Sequence, residues 1–101
     1  MKFLLAVTAL LTLSAPVLAA DHAVEIKGMK FNPATFEVAV GDTVTFTNAD
    51  AAPHTGTALD GSFDTGRLAK GQSGTVTIGA AGAHDFKCAV HPMMKGTITA
   101  K

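Results

Sequence analysis

The sequence has a single cysteine, Cys88, and neither tryptophan nor tyrosine among its 101 residues. One thiol cannot form an internal disulfide, so the usual reinforcement of a small exported domain is excluded. Beyond residue 20 no apolar run is long enough to span a membrane, and no helical period persists. Charge is scarce as well: lysine, arginine, aspartate and glutamate make up 16% of the chain, and the formal net charge is +0. That balance excludes the basic field of a nucleic-acid-binding surface and leaves no strongly acidic face. Internal repeats, linkers and low-complexity segments are also missing, so residues 21–101 read as one domain with a small core.

Residues 1–20 differ in character. Lys2 makes the start positive, Phe3 to Leu13 is apolar apart from Thr8 and Thr12, and Ser14 to Ala20 is rich in small residues around Pro16. This is the pattern of a secretory signal peptide, cut after Ala19 or Ala20. Its apolar stretch is shorter than the roughly 20 residues of a spanning helix, so no stable membrane insertion is expected after cleavage. With no twin-arginine pair and no cysteine near the cut, the expectation is Sec export to the periplasm without a lipid anchor. Any metal would then be acquired after translocation.

The exported part alternates polar and apolar residues in short pieces. Ala23 to Ile26 reads as a strand, Thr35 to Val40 places Phe36, Val38 and Val40 on one face, and Thr43 to Asn48 places Val44 and Phe46 opposite three threonines. Thr75 to Ile78, Ala83 to Cys88 and Gly96 to Ala100 continue the series, separated by Gly, Asn and Asp turns. Six to eight short strands of this kind predict an all-β antiparallel sandwich, its core resting on Phe31, Phe36, Phe46, Phe63 and Phe86.

The chemistry gathers in the stretch Phe86 to Gly96. Cys88 is followed three residues on by His91 and six on by Met94, so one loop offers a thiolate, an imidazole and a thioether. Soft donors of this kind suit copper, and a His₂Cys set with a weak axial methionine is the arrangement of blue-copper sites. One imidazole is missing. His54, stiffened by Pro53 just past a strand end, is the candidate, because a sandwich can bring that strand end and the Cys88 loop to the same pole. Met93 competes with Met94 for the axial place. Copper ligation would also account for a thiol that persists in an oxidising compartment.

These residues resemble the cupredoxins, the small blue copper proteins, and within them the amicyanin, plastocyanin and pseudoazurin branch. The resemblance is carried by Val40-Gly41-Asp42-Thr43-Val44, Pro53-His54, Ala81-Gly82, Asp85-Phe86-Lys87-Cys88 and His91-Pro92-Met93-Met94-Lys95-Gly96, in that order along nearly all of residues 21–101. It implies a Greek-key β-sandwich holding one copper ion through His54, Cys88, His91 and Met94. Two departures stand out. Thr55 occupies a place where the family often has an asparagine that ties the two ligand loops together, although the Thr55 backbone N–H remains available to the Cys88 sulfur. The chain is also short between His54 and Gly71, so a loop or strand of larger relatives is expected to be absent.

The function implied is one-electron transfer and not an enzyme activity. A monomer would dock transiently with redox partners such as a c-type cytochrome, a dehydrogenase or an oxidase at the small apolar patch around His91, formed by Ala89, Val90, Pro92 and Met93. The alternative is periplasmic copper storage or delivery, which extra Met or His clusters would favour; Met29, Met93 and Met94 are the only methionines after residue 20. A zinc-only structural site is disfavoured by Met94, and a copper enzyme would need a second centre for which ligands are missing. His84 shares a strand with Cys88 but stands roughly 13 Å along it at about 3.3 Å per residue, too far to bind the same ion. His22 is either part of a disordered terminus or, if cleavage follows Ala19, the third residue of a second, square-planar Cu(II) site.

Overall fold

The computed structural model describes residues 18–101, so the expected signal segment lies, over residues 1–17, outside the described residues. Eight strands follow: β1 Asp21–Ile26, β2 Phe31–Asn32, β3 Thr35–Val38, β4 Thr43–Asn48, β5 Thr57–Ala58, β6 Ser73–Thr77, β7 Gly82–Lys87 and β8 Lys95–Ala100. They form two four-stranded sheets, β2-β1-β4-β6 and β3-β8-β7-β5, and no helix occurs among the described residues. The all-β sandwich expected from the alternation is therefore the fold.

Strand β4 shows why these residues become strands. Its alternation puts Val44 and Phe46 at 0% exposure on the inner face, while Thr43, Thr45 and Thr47 form an outer row. That row is bonded to its neighbours: Thr45 Oγ1 lies 2.9 Å from Thr75 Oγ1, Thr47 Oγ1 lies 2.7 Å from Ser73 Oγ, and Thr43 donates to the Asp21 carboxylate at 2.7 Å. β-Branched side chains favour this half-buried pleated surface.

The pairing is mixed, where a purely antiparallel arrangement was expected. β1 runs parallel to β4, and β3 runs parallel to β8. Hairpin loops cannot make such pairs; they require a crossover. Here the chain leaves the first sheet after β2, adds β3 to the second, and returns as β4 alongside β1. A second correction concerns Val40, expected to face inward with Phe36 and Val38 but 45% exposed. The alternation breaks because β3 stops at Val38 and a turn follows, closed by the Asp42 N–H donating to the Ala39 carbonyl at 3.0 Å, with Gly41 at φ 94°.

The core joins the sheets through aromatic edges. Phe46 of β4 meets Phe86 of β7 edge-on at 5.6 Å, and Phe31 meets Phe86 at 4.7 Å. Phe63 closes the group against Phe46 at 6.2 Å, whereas Phe36 is only partly buried at its margin. Edge-to-face pairs of this kind add to the burial of apolar area. Gly96 is required by this packing, since a Cβ there would overlap the Phe86 ring and the Ala34 carbonyl. This rigid centre lies directly beneath the loop between β7 and β8.

Candidate metal centre

Residues 88–94 connect β7 to β8, whose register closes with Lys87 opposite Lys95. The loop is pinned across its base, where the Cys88 N–H donates to the Met94 carbonyl at 3.1 Å and the Met94 N–H to the His91 carbonyl at 2.9 Å. His54 arrives from the connection between β4 and β5 and is held by a two-bond bridge to Leu68, at 3.1 and 2.8 Å. Three of the expected donors thus meet at one pole. Cys88 Sγ is 3.7 Å from His54 Nδ1 and 3.9 Å from His91 Nδ1, and the two ring nitrogens are 3.2 Å apart.

That triangle matches the size of a metal ion. A point equidistant from its corners lies about 2.1 Å from each atom, within the roughly 2.0–2.3 Å of metal–nitrogen and metal–sulfur bonds. Cys88 and His54 are fully buried and His91 is half-buried. Exposure also separates the two methionines. Met94 is 3% exposed and Met93 85%, so of the two only Met94 is placed within the interior.

The surrounding polar groups fix which atoms face inward. His54 Nε2 lies 3.0 Å from the Asp50 carboxylate. An ionised carboxylate only accepts, so this nitrogen carries the proton and Nδ1 is left with a lone pair directed at Cys88 and His91. Asp50 is itself anchored by the N–H groups of Met29 and Gly28, each at 2.9 Å, and these two bonds, ahead of His54, hold its carboxyl below the usual range. Asn48, fully buried, shapes the same segment by donating to the Ala52 and Leu68 carbonyls at 2.8 and 2.9 Å.

Thr55 takes up the loop-tying role that the sequence left without an asparagine. Its backbone N–H donates to Cys88 Sγ at 3.3 Å, and its Oγ1 accepts the Ala89 N–H at 2.8 Å. The hydroxyl is also 2.8 Å from Thr57 Oγ1, which gives its own proton to Asp64 at 3.1 Å. The Thr55 proton therefore goes to Thr57, and one directed chain runs from the Cys88 loop through two hydroxyls to a surface carboxylate.

Of the other histidines, His84 is away from this pole, as its spacing from Cys88 requires. Its Nδ1 is 2.7 Å from the Asp60 carboxylate and its Nε2 is 2.7 Å from the Ala80 carbonyl. His22 is not in a loose terminus: it lies in β1, with Nε2 2.9 Å from Asp42. A square-planar Cu(II) site there would need the Asp21 and His22 amide nitrogens to converge, whereas an extended strand spreads them apart. Asp50, Asn48 and the Thr55 hydroxyl are the site residues that spacing alone did not single out. The acid four residues before His54 was the one local hint.

A family model described as a cupredoxin-like domain matches residues 2–100. The chain belongs to the cupredoxins. Among curated proteins it is 34% identical over 80 residues to an amicyanin of Paracoccus denitrificans, covering 74% of this chain and 61% of that protein's length. It is 30% identical over 93 residues to the amicyanin of Paracoccus versutus, covering 82% of this chain and 70% of that one. A reduced-state amicyanin variant superposes with a TM-score of 0.75 at 32% identity, over 86% of this chain and 88% of that one. The copper-containing nitrite reductase of Thermus scotoductus gives a TM-score of 0.72 at 29% identity, over 83% of this chain but only 22% of its own. With two imidazoles and a thiolate around a metal-sized point and a buried thioether on the same loop, the cofactor of this cupredoxin is one copper ion.

Proposed function

We propose that this cupredoxin is a periplasmic type 1 copper electron carrier, exported by the signal segment of residues 1–20, with His54, Cys88, His91 and Met94 as the metal ligands. The observation that carries the reading is the closed triangle of His54, Cys88 and His91 donor atoms, 3.2 to 3.9 Å apart, at one pole of a stiff sandwich. Bound copper supplies a centre that accepts and releases one electron. The protein's part is to keep the donors still: Asp50 sets the His54 tautomer, Thr55 N–H steadies the sulfur, and Met94 helps to keep water from the inner side. A donor set that does not rearrange lowers the structural cost of each electron.

His91 is the group nearest solvent, and the exposed Pro92 and Met93 beside it form the docking patch for a redox protein such as a c-type cytochrome, a dehydrogenase or an oxidase. Small contacts of this sort suit a carrier that must leave quickly, and a monomer suffices for them. The curated and structural relatives named amicyanin, one of them solved in a Cu(I) form, support the same reading. Loading the purified protein with Cu(II) tests it. An intense blue absorption that bleaches and returns on cycling is expected. Tight copper binding without reversible bleaching would overturn electron transfer in favour of storage or delivery.

A further inference from the structure

At the other end of β1 a buried carboxylate has partners from its own turn and from residues 20–22. Asp42, 6% exposed, accepts the Ala39 N–H on Oδ2 at 2.9 Å and faces His22 Nε2 on the same oxygen at 2.9 Å. Its Oδ1 has one partner among the described residues, the Ala20 N–H at 3.0 Å. Ala20 is held from its other side too, because its carbonyl accepts the Thr43 N–H at 3.0 Å. Leu18 and Ala19 are exposed and make no backbone hydrogen bond with the described fold. Among the described residues, backbone hydrogen bonding to the fold therefore begins at Ala20, just past the Ala19–Ala20 bond.

We infer that export is completed by a cut between Ala19 and Ala20, and that the ammonium freed at Ala20 seats on the Asp42 carboxylate as part of the mature fold. The inference rests on the export reading above. The peptidase of the export machinery would add one water across the peptide bond, leaving a carboxylate on Ala19 and an amine on Ala20, which takes up a proton at neutral pH. A neutral N–H donor to Oδ1 then becomes a cationic one, and hydrogen bonds between charged partners are shorter and stronger. A cut after Ala20 would instead strip Oδ1 of its partner and the Thr43 N–H of its acceptor, leaving polar groups unpaired beside β1. The other titratable groups facing the amine are His22, which shares the Asp42 carboxylate, and Asp21, which is turned toward Thr43 and Thr45. The Asp42 carboxyl is held down to about 2 by His22 first, then by the Ala39 and Ala20 N–H groups, so at the neutral pH where the amine is protonated it is charged as well.

The test uses the full chain, exported in a Gram-negative host and recovered from the periplasm. Intact mass should give a protein that begins at Ala20. The α-amine should then be acylated by limiting acetic anhydride at pH 7 about tenfold more slowly in the folded protein than in urea, the factor that one pKa unit produces. Asp42→Asn should close that gap, and the folded-against-unfolded comparison of the unsubstituted protein stands by itself if the variant fails to fold. A mature protein that begins at Asp21, or one that begins at Ala20 with equal rates in both states, would overturn the inference. An uncut chain of full mass would overturn the export reading itself, and the inference with it.

Discussion

His54 and His84 are both buried imidazoles facing an aspartate, and they do opposite things. His54 gives Nε2 to Asp50 and keeps Nδ1 free, toward Cys88 and His91. His84 gives Nδ1 to Asp60 and Nε2 to the Ala80 carbonyl, so no nitrogen is left over. Since both its neighbours only accept, His84 must donate from both nitrogens and is an imidazolium. It is a strut joining the segment after β5 to the turn before β7. A carboxylate partner therefore does not mark a metal ligand; a ring nitrogen that is left over and turned toward other donor atoms does.

The sharpest way to break this contrast is to truncate each ring. His54→Ala should abolish the blue copper absorption, because a thiolate and one imidazole do not define the site. His84→Ala should leave copper stoichiometry and colour unchanged and lower the unfolding free energy of the apo-protein by about 1–3 kcal/mol, for two lost hydrogen bonds. Spectra and urea melts of the two variants separate the roles. Loss of colour in His84→Ala would mean that the two regions are not independent.

A smaller effect is expected one shell out. Asp50→Ala removes the group that fixes the His54 tautomer while leaving all four proposed ligands in place. Copper affinity should fall about 10–100-fold, as for other partners of metal-bound histidines. Competition with a chelator measures it. Unchanged affinity would mean that the Leu68 bridge and Pro53 orient the ring without help.

Much of this was legible because it is local. Cys88, His91 and Met94 are fixed relative to one another by covalent spacing on a single loop, and β4 announces itself through strict alternation. What was not legible depends on residues far apart in the chain. Asp60 and His84 are 24 positions apart, and the Thr55 hydroxyl finds the Ala89 N–H across 34. Nothing in either neighbourhood encodes such a contact. The parallel pairing of β1 with β4 likewise depends on the route of the chain through the other sheet. Val40 shows the reverse limit: an alternating pattern continued one residue pair past the point where a turn had ended the strand.

The strut also carries a pH signature. The Ala80 carbonyl first, and Asp60 second, raise the His84 pKa above its ordinary 6.5. A group that binds its proton more tightly when folded stabilises the fold fully below its unfolded pKa and loses that contribution as pH rises through the folded value. Asp60, held down to about 2 by Ser62 first and by His84, has the opposite sign: its contribution is present above 3.8 and is lost as pH falls toward 2. Between these limits both are charged. The difference in urea midpoint between the parent and His84→Ala apo-proteins should therefore be flat from about pH 4 to 6.5 and shrink on the alkaline side. Taking that difference cancels every contribution that the two proteins share. A difference that instead grew with rising pH would show that His84 is neutral in the fold, with one nitrogen to spare like His54.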